Sequence, residues 1–256
     1  MSAAEQFAQE VRRRAGGKRL LVLLDFDGTL TEFDPDPDAV RLPDQRRELI
    51  ERLRQRAVVG IVSGRRLDDV RQKCGLADGL IVAGMHGLEI EAFGERFVHP
   101  DLAAAREAVG GAAAALRELA APLDGAFVED KEYSVVVHFR ESGPEAQKAA
   151  VDGFAKIAEP HVERGRLRVM RGSCVLELLP NIDWNKGHAV RWIRERAEHR
   201  HGPCFVVYVG DDVTDQDAFA AIEEHGFPIA ASERVTANAR LDGPAEVERF
   251  LRALSG

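Results

Sequence analysis

The segment Leu21-Val22-Leu23-Leu24-Asp25-Phe26-Asp27-Gly28-Thr29-Leu30 ends an aliphatic run in one carboxylate and sets a second two residues on. If extended geometry persists past Asp25, both acids face the same side. Two such carboxylates repel, and each raises the other's pKa unless a cation sits between them. Gly28 allows a sharp turn that exposes backbone amides, and Thr29 adds a hydroxyl. Three further clusters, Ser63-Gly64-Arg65, Lys186-Gly187 and Gly210-Asp211-Asp212-Val213-Thr214-Asp215, contribute a hydroxyl, an ammonium and three more acids. Oxygen donors in that number suit a hard divalent cation, magnesium rather than zinc. A carboxylate beside it can accept a phosphoryl group as an aspartyl-phosphate. Hydroxyl, lysine and metal then stabilise the equatorial oxygens of the transferring group.

These residues converge only if the chain brings them to one edge. Leu21–Leu24, Ala57–Val62 (before Ser63) and Phe205–Val209 (before Gly210) are runs expected of buried parallel strands. Open α/β sheets bind ligands at the carboxyl ends of such strands. An amphipathic helix with Phe7 and Val11 at i, i+4 is expected up to Arg14, and a proline- and acid-punctuated loop runs from Thr31 to Asp38. Pro43 opens a helix to about Arg54, a second helix reaches Cys74-Gly75, and Leu80–Gly84 is a third strand. Alternating strands and helices predict a doubly wound, Rossmann-like α/β core.

The pattern changes after Gly84. Glu89–Phe93 and Arg96–Val98 flank Gly94-Glu95 as a hairpin. A helix over Leu102–Leu119, weakened by Gly110-Gly111, precedes strands at Ala126–Glu129 and Ser134–Phe139. A helix from Pro144 to about Ala158 and strands at Arg166–Met170 and Cys174–Leu178 follow. This αββαββ order predicts an antiparallel sheet with helices on one face, an inserted α+β module over residues 100–180. The core then occupies 1–99 and 181–256. It resumes with a helix at Asn185-Lys186-Gly187, the Phe205–Val209 strand, a helix with Phe219 and Ile222, a strand at Pro228–Ala230 and a C-terminal helix.

Composition narrows the function classes. In 256 residues, 45% hydrophobic and 30% charged, a sizeable core can form. A formal charge of -8 and a pI near 5.6 argue against nucleic acid as partner. Cys74, Cys174 and Cys204 show no metal-ligand spacing, and neither a signal core nor a bilayer-length apolar run is present. The expectation is a cytoplasmic, soluble monomer acting on a small molecule.

The four ordered motifs resemble those of the haloacid dehalogenase (HAD) superfamily of phosphatases, over almost the whole chain. The resemblance implies Asp25 as nucleophile, Asp27 as general acid/base, and Ser63 and Lys186 as holders of the phosphoryl group. Thr29, Gly64 and Arg65 border that position. Magnesium would be bound by Asp25, the Asp27 carbonyl and Asp211, with Asp215 and Asp212 supporting it. The insertion resembles the superfamily's C2-type cap. Gly84-Met85-His86-Gly87, Glu129-Asp130-Lys131, His138-Phe139-Arg140 and Glu177 resemble the trehalose-6-phosphate phosphatase family, in which a Glu-x-Lys pair and a later Glu contact sugar hydroxyls. By position these are Glu129, Lys131 and Glu177, with His86 and Arg140 nearby. Charged groups of fixed geometry read hydroxyls through strong directional hydrogen bonds. The implied reaction is hydrolysis of trehalose 6-phosphate. Its alternatives are another phosphosugar or a glycosyl-glycerate phosphate as substrate, or, in a different class, a non-catalytic sugar-phosphate sensor.

Overall fold

The computed structural model describes residues 1–34, 36–76, 78–172, 174–224 and 226–256. Pro35, part of the loop expected over Thr31–Asp38, falls outside them. In chain order the elements are α1 (Ala3–Ala15), β1 (Arg19–Leu24), α2 (Asp44–Arg54), β2 (Val58–Val62), α3 (Leu67–Cys74), β3 (Ile81–Gly84), β4 (Glu89–Ala92) and β5 (Glu95–Val98). Then follow α4 (Leu102–Ala120), β6 (Phe127–Asp130), β7 (Val135–His138), α5 (Pro144–Glu163), β8 (Leu167–Gly172) and β9 (Val175–Pro180). The chain ends with α6 (Lys186–His201), β10 (Cys204–Gly210), α7 (Asp215–Ile222), β11 (Gly226–Ala230), β12 (Ala239–Arg240) and α8 (Pro244–Ser255). They form two compact units, Met1–Val98 with Trp184–Gly256, and His99–Asp183.

The first unit is built on one sheet in the order β12-β11-β10-β1-β2-β3-β4-β5. All pairings from β12 to β3 are parallel, and the β4–β5 hairpin adds an antiparallel edge. Side chains alternate between the two faces with the period of the strand. Val22, Leu24, Ile61, Val207 and Val209 join Val11, Leu49 and Phe250 in one core layer. Leu21, Leu23, Val206 and Tyr208 join Val190, Ile193 and Phe219 in the other. Burial on both faces explains the near-continuous aliphatic runs, each such side chain contributing about 1.5–3 kcal/mol. Leu24 lies opposite both Val209 and Ile61. That register releases Asp25, Ser63 and Asp211 at one edge, and the Asp25 N–H still donates to the Val209 carbonyl at 2.9 Å.

The second unit is a four-stranded antiparallel sheet, β6-β7-β9-β8. Val135, Val137, Leu176 and Leu178 pack against Val109, Ala112 and Leu116 of α4 and Phe154 of α5. Helix α5 continues to Glu163, past the expected end near Ala158, with Pro160 inside it. Proline keeps a helix-compatible φ but forgoes one i→i−4 hydrogen bond and crowds the carbonyl four residues back, so this end of the helix forms at a local cost. The two-residue strand β12 was too short to carry a periodic signal. Among the described residues, no helix is long and apolar enough to cross a membrane.

Candidate active site

Asp25 is the first residue beyond β1 and is buried. Lys186 opens α6, whose N-cap residue Asn185 accepts the His188 N–H through its side chain. This cap fixes the start of the helix and so the point from which the lysine projects. The Lys186 ammonium, only 2% exposed, donates to Asp25 Oδ1 and to Asp215 Oδ1, each at 2.7 Å. Asp215, at the start of α7, also accepts the Tyr208 hydroxyl at 2.8 Å and the backbone N–H groups of Asp211 and Asp212 at 3.0 and 2.9 Å. So many donors lock its carboxylate, and it acts as a strut between β10 and the lysine. Asp211 is fully buried and accepts the Thr29 hydroxyl at 3.0 Å. Its other carboxylate oxygen is paired with the Arg234 guanidinium, and its carbonyl accepts the Ser232 hydroxyl at 2.6 Å.

Burial raises the Asp25 carboxyl well above the ordinary carboxylate range; Lys186 pulls it back, while the charges of Asp215 and Asp211 push it further up. Asp211 is raised for the same first reason, with the Thr29 hydrogen bond and Arg234 opposing. Burial alone would lower the Lys186 pKa, but Asp25 and Asp215 outweigh it and keep the ammonium charged. Each of Asp25, Asp211 and Asp215 offers a carboxylate oxygen, and these lie within 4.8 Å of one another. Lys186 and the half-exposed Arg234 answer two of the three acids, which leaves buried negative charge that a divalent cation would offset. The donors are all oxygen, which fits Mg2+ better than zinc. The turn at Gly28 (φ +81°) adds a second sign of fit: a Cβ there would meet the Asp211 Cγ at 2.7 Å, so the backbone is pressed against the acid cluster.

Asp27 is placed differently from the expectation that it faces alongside Asp25. Strand β1 stops at Leu24, and the Phe26 carbonyl takes the N–H groups of both Leu30 and Thr31 in a tight turn. The Asp27 carboxylate instead makes a bidentate pair with Arg65 Nε and Nη2, both at 2.7 Å. That bidentate geometry is the strongest pairing a guanidinium makes with a carboxylate, and it fixes the direction of the Asp27 side chain. Arg65 also donates to Asp69 at 3.1 Å and to the Pro37 carbonyl at 2.9 Å. Asp212 is half-buried, its carboxylate accepts the Thr214 hydroxyl at 3.4 Å, and it stands outside the three-acid cluster.

Ser63 is fully buried at the end of β2, and its Oγ accepts the Arg65 N–H at 3.1 Å. The following turn is held by the Met85–Gly87 segment: Met85 N–H donates to the Arg65 carbonyl at 2.7 Å and His86 N–H to the Ser63 carbonyl at 2.9 Å. Met85 and His86 both take left-handed backbone geometry, φ 52° and 56°. Strain of this kind persists where surrounding structure enforces it. Gly64 lets the two segments approach closely, because a Cβ there would lie 2.8 Å from the His86 ring and push it aside. His86 thus braces the serine loop. Trp184 donates its indole N–H to the Gly87 carbonyl at 2.7 Å.

Within the second unit, the sheet brings together Glu129, Lys131 and Glu177. Lys131 Nζ lies 4.0 Å from Glu129 and 3.8 Å from Glu177, and Ser134 donates to Glu177 at 2.6 Å. Arg140 is exposed in the turn after β7. Sequence reasoning missed Tyr208 and Arg234. A hydroxyl-bearing tyrosine inside an otherwise apolar strand was a usable signal for the first. The second follows β11, which ends at the same sheet edge.

The model of the trehalose-phosphatase family matches residues 23–244. The chain belongs to that family. A trehalose-phosphate phosphatase of Mycobacterium tuberculosis (strain ATCC 25618 / H37Rv) is 38% identical over 242 residues, covering 91% of this chain and 61% of the relative. The chain therefore spans about three fifths of the length of the curated relatives it matches. The C-terminal domain of Candida albicans trehalose-6-phosphate phosphatase superposes with a TM-score of 0.76 at 23% identity, over 98% of this chain and 97% of that domain. A haloacid dehalogenase-like hydrolase from Bacteroides thetaiotaomicron superposes with a TM-score of 0.61 at 16% identity, over 92% of this chain and 99% of that one. The chain thus has a HAD-like fold.

Proposed function

We propose that the chain is a magnesium-dependent phosphatase that hydrolyses trehalose 6-phosphate to trehalose and inorganic phosphate. The observation that carries this reading is the buried Asp25 carboxylate, held at 2.7 Å by Lys186 at the end of a central strand, in a chain of the trehalose-phosphatase family. A lysine bridging Asp25 and Asp215 aims one carboxylate oxygen and pre-organises positive charge beside it. In the first half-reaction an Asp25 oxygen bonds to phosphorus as the bond to the sugar oxygen breaks, and Asp27 gives that oxygen its proton. In the second, water attacks the same phosphorus, Asp27 takes its proton, and Asp25 is regenerated as phosphate leaves.

Arg65 sets Asp27 in place for both transfers, and Ser63 and Lys186 hold the phosphoryl oxygens. Asp25, Asp211 and the Asp27 carbonyl would hold Mg2+, Asp215 positioning the lysine and Asp211 from behind. Bound Mg2+ would supply positive charge against the phosphoryl oxygens and orient them. Glu129, Lys131 and Glu177 on the inserted unit would read the sugar hydroxyls, a role in which a cap of residues 100–180 serves a core of 1–99 and 181–256. The same reading makes the protein a cytoplasmic monomer that uses neither nucleic acid nor a membrane surface.

The test is phosphate release from a panel of phosphosugars, with and without Mg2+. Trehalose 6-phosphate should be the preferred substrate, and chelation of Mg2+ should stop turnover. Asp25→Asn should retain the fold and lose activity. Full activity in that variant, or preference for another phosphosugar, contradicts the assignment.

A further inference from the structure

The open face of the second unit's sheet carries an aromatic group that neither the core nor the proposed polar contacts use. Val128 points toward the helices, so the alternation of β6 puts Phe127 and Glu129 together on the opposite face. The register sets Phe127 against His138, Glu129 against Val136, and Val136 against Glu177. The rings of Phe127 and His138 stack with centroids 4.5 Å apart and planes within 7°. His138 Nε2 is 2.9 Å from Glu129 Oε2, so the imidazole is held between a carboxylate and an aromatic ring. Yet Phe127 itself is 58% exposed. Leaving a phenylalanine in water forgoes a large part of its burial free energy, and the position belongs to no core cluster.

A pyranose has hydroxyls around its rim and C–H groups on its faces. It is best held by a flat apolar surface with charged hydrogen-bonding groups at the edge. Phe127 supplies the surface, and Glu129, Lys131 and Glu177 supply the edge. We infer that Phe127, backed by His138, is the platform on which one sugar ring of the phosphosugar substrate stacks, making it a specificity-determining residue. This rests on the functional reading above and extends it: the occupant is a sugar with a ring face to spare beyond the hydroxyls read by the charged groups, as in a phosphorylated disaccharide. His138 is a positioning residue, holding both the phenyl ring and Glu129.

The experiment compares the wild-type protein with F127A and F127Y on trehalose 6-phosphate, glucose 6-phosphate and p-nitrophenyl phosphate. Loss of a stacking partner should raise KM for trehalose 6-phosphate on the order of ten-fold in F127A, with the change falling on KM far more than on kcat. F127Y keeps the ring and should recover most of the affinity. The aryl phosphate, which has no sugar face, should discriminate little between the variants. An unchanged KM for trehalose 6-phosphate in F127A overturns the inference, as does an equal loss on all three esters, which would mark a structural role. If the wild-type protein releases no phosphate from trehalose 6-phosphate, the functional reading fails first and this inference falls with it.

Discussion

Replacing Gly28 by alanine should separate the cost of a strained turn from the cost of a displaced acid. Gly28 has φ +81°, where an L side chain costs about 1–2 kcal/mol. The new Cβ would also stand 2.7 Å from both Cγ and Oδ1 of Asp211. Ordinary contact begins roughly 1 Å further out, so Asp211 must retreat by about that distance. It is fully buried and tied to Thr29, Arg234 and Ser232, so a retreat disturbs the cluster as a whole. A misplacement of about 1 Å at a reacting centre can cost on the order of 10²-fold in rate. Gly17 is the matched control: its φ is +85°, and a Cβ there meets nothing within 4 Å.

G17A should lose roughly 1–2 kcal/mol, read as a drop of a few degrees in melting temperature, and G28A more, because displacing Asp211 adds to the same backbone strain. Only G28A should lose turnover, by about two orders of magnitude, with weakened Mg2+ binding by calorimetry. If G28A and G17A hydrolyse trehalose 6-phosphate at similar rates, the contact between the Gly28 turn and Asp211 has no part in positioning the site.

Other expectations follow from the buried charges. Lys186→Met leaves Asp25 and Asp215 without their shared cation, and breaking a buried pair in this way costs about 3–5 kcal/mol; a melting temperature within a degree or two of wild type would contradict the geometry. Arg234 is half exposed and pairs with an Asp211 oxygen, so Arg234→Gln should strengthen Mg2+ binding in the absence of substrate; weaker binding by calorimetry would make it a support rather than a competitor. Burial lifts the Cys74 thiol to about 12 from a reference of 9.0. The folded protein therefore keeps this proton while the unfolded chain releases it, and stability should fall as pH rises from about 9 towards 12, by up to ~1.4 kcal/mol per unit. Chemical denaturation across that range should show a shallower decline for Cys74→Ala, and an identical decline refutes the assignment.

The main strands were legible because each aliphatic run is buried on both faces and stops at an acid, a serine or a glycine. Convergence of Asp25, Ser63 and Asp211 followed from parallel register alone. What escaped was decided by single turns and distant pairings. Local pattern did not show that β1 ends at Leu24, and so it did not show that Asp27 turns to Arg65. Nor did spacing reveal that Thr29 is spent on Asp211, or that Tyr208 anchors Asp215 from inside the strand. Arg234 reaches Asp211 from twenty-three residues on, a partnership that only the closed fold creates. Helix α5 runs to Glu163, past its expected end near Ala158, with Pro160 inside its last turns.

The inserted unit has a hydrophobic core of its own, drawn from α4, α5 and its four strands. Phe127, Glu129 and Glu177 belong neither to that core nor to the two layers packed on β1 and β10. Inheritance can treat the two separately. If that sheet reads the sugar as proposed, descendants of such a chain can change the sugar by drift on one small sheet, with the acid cluster passed on intact.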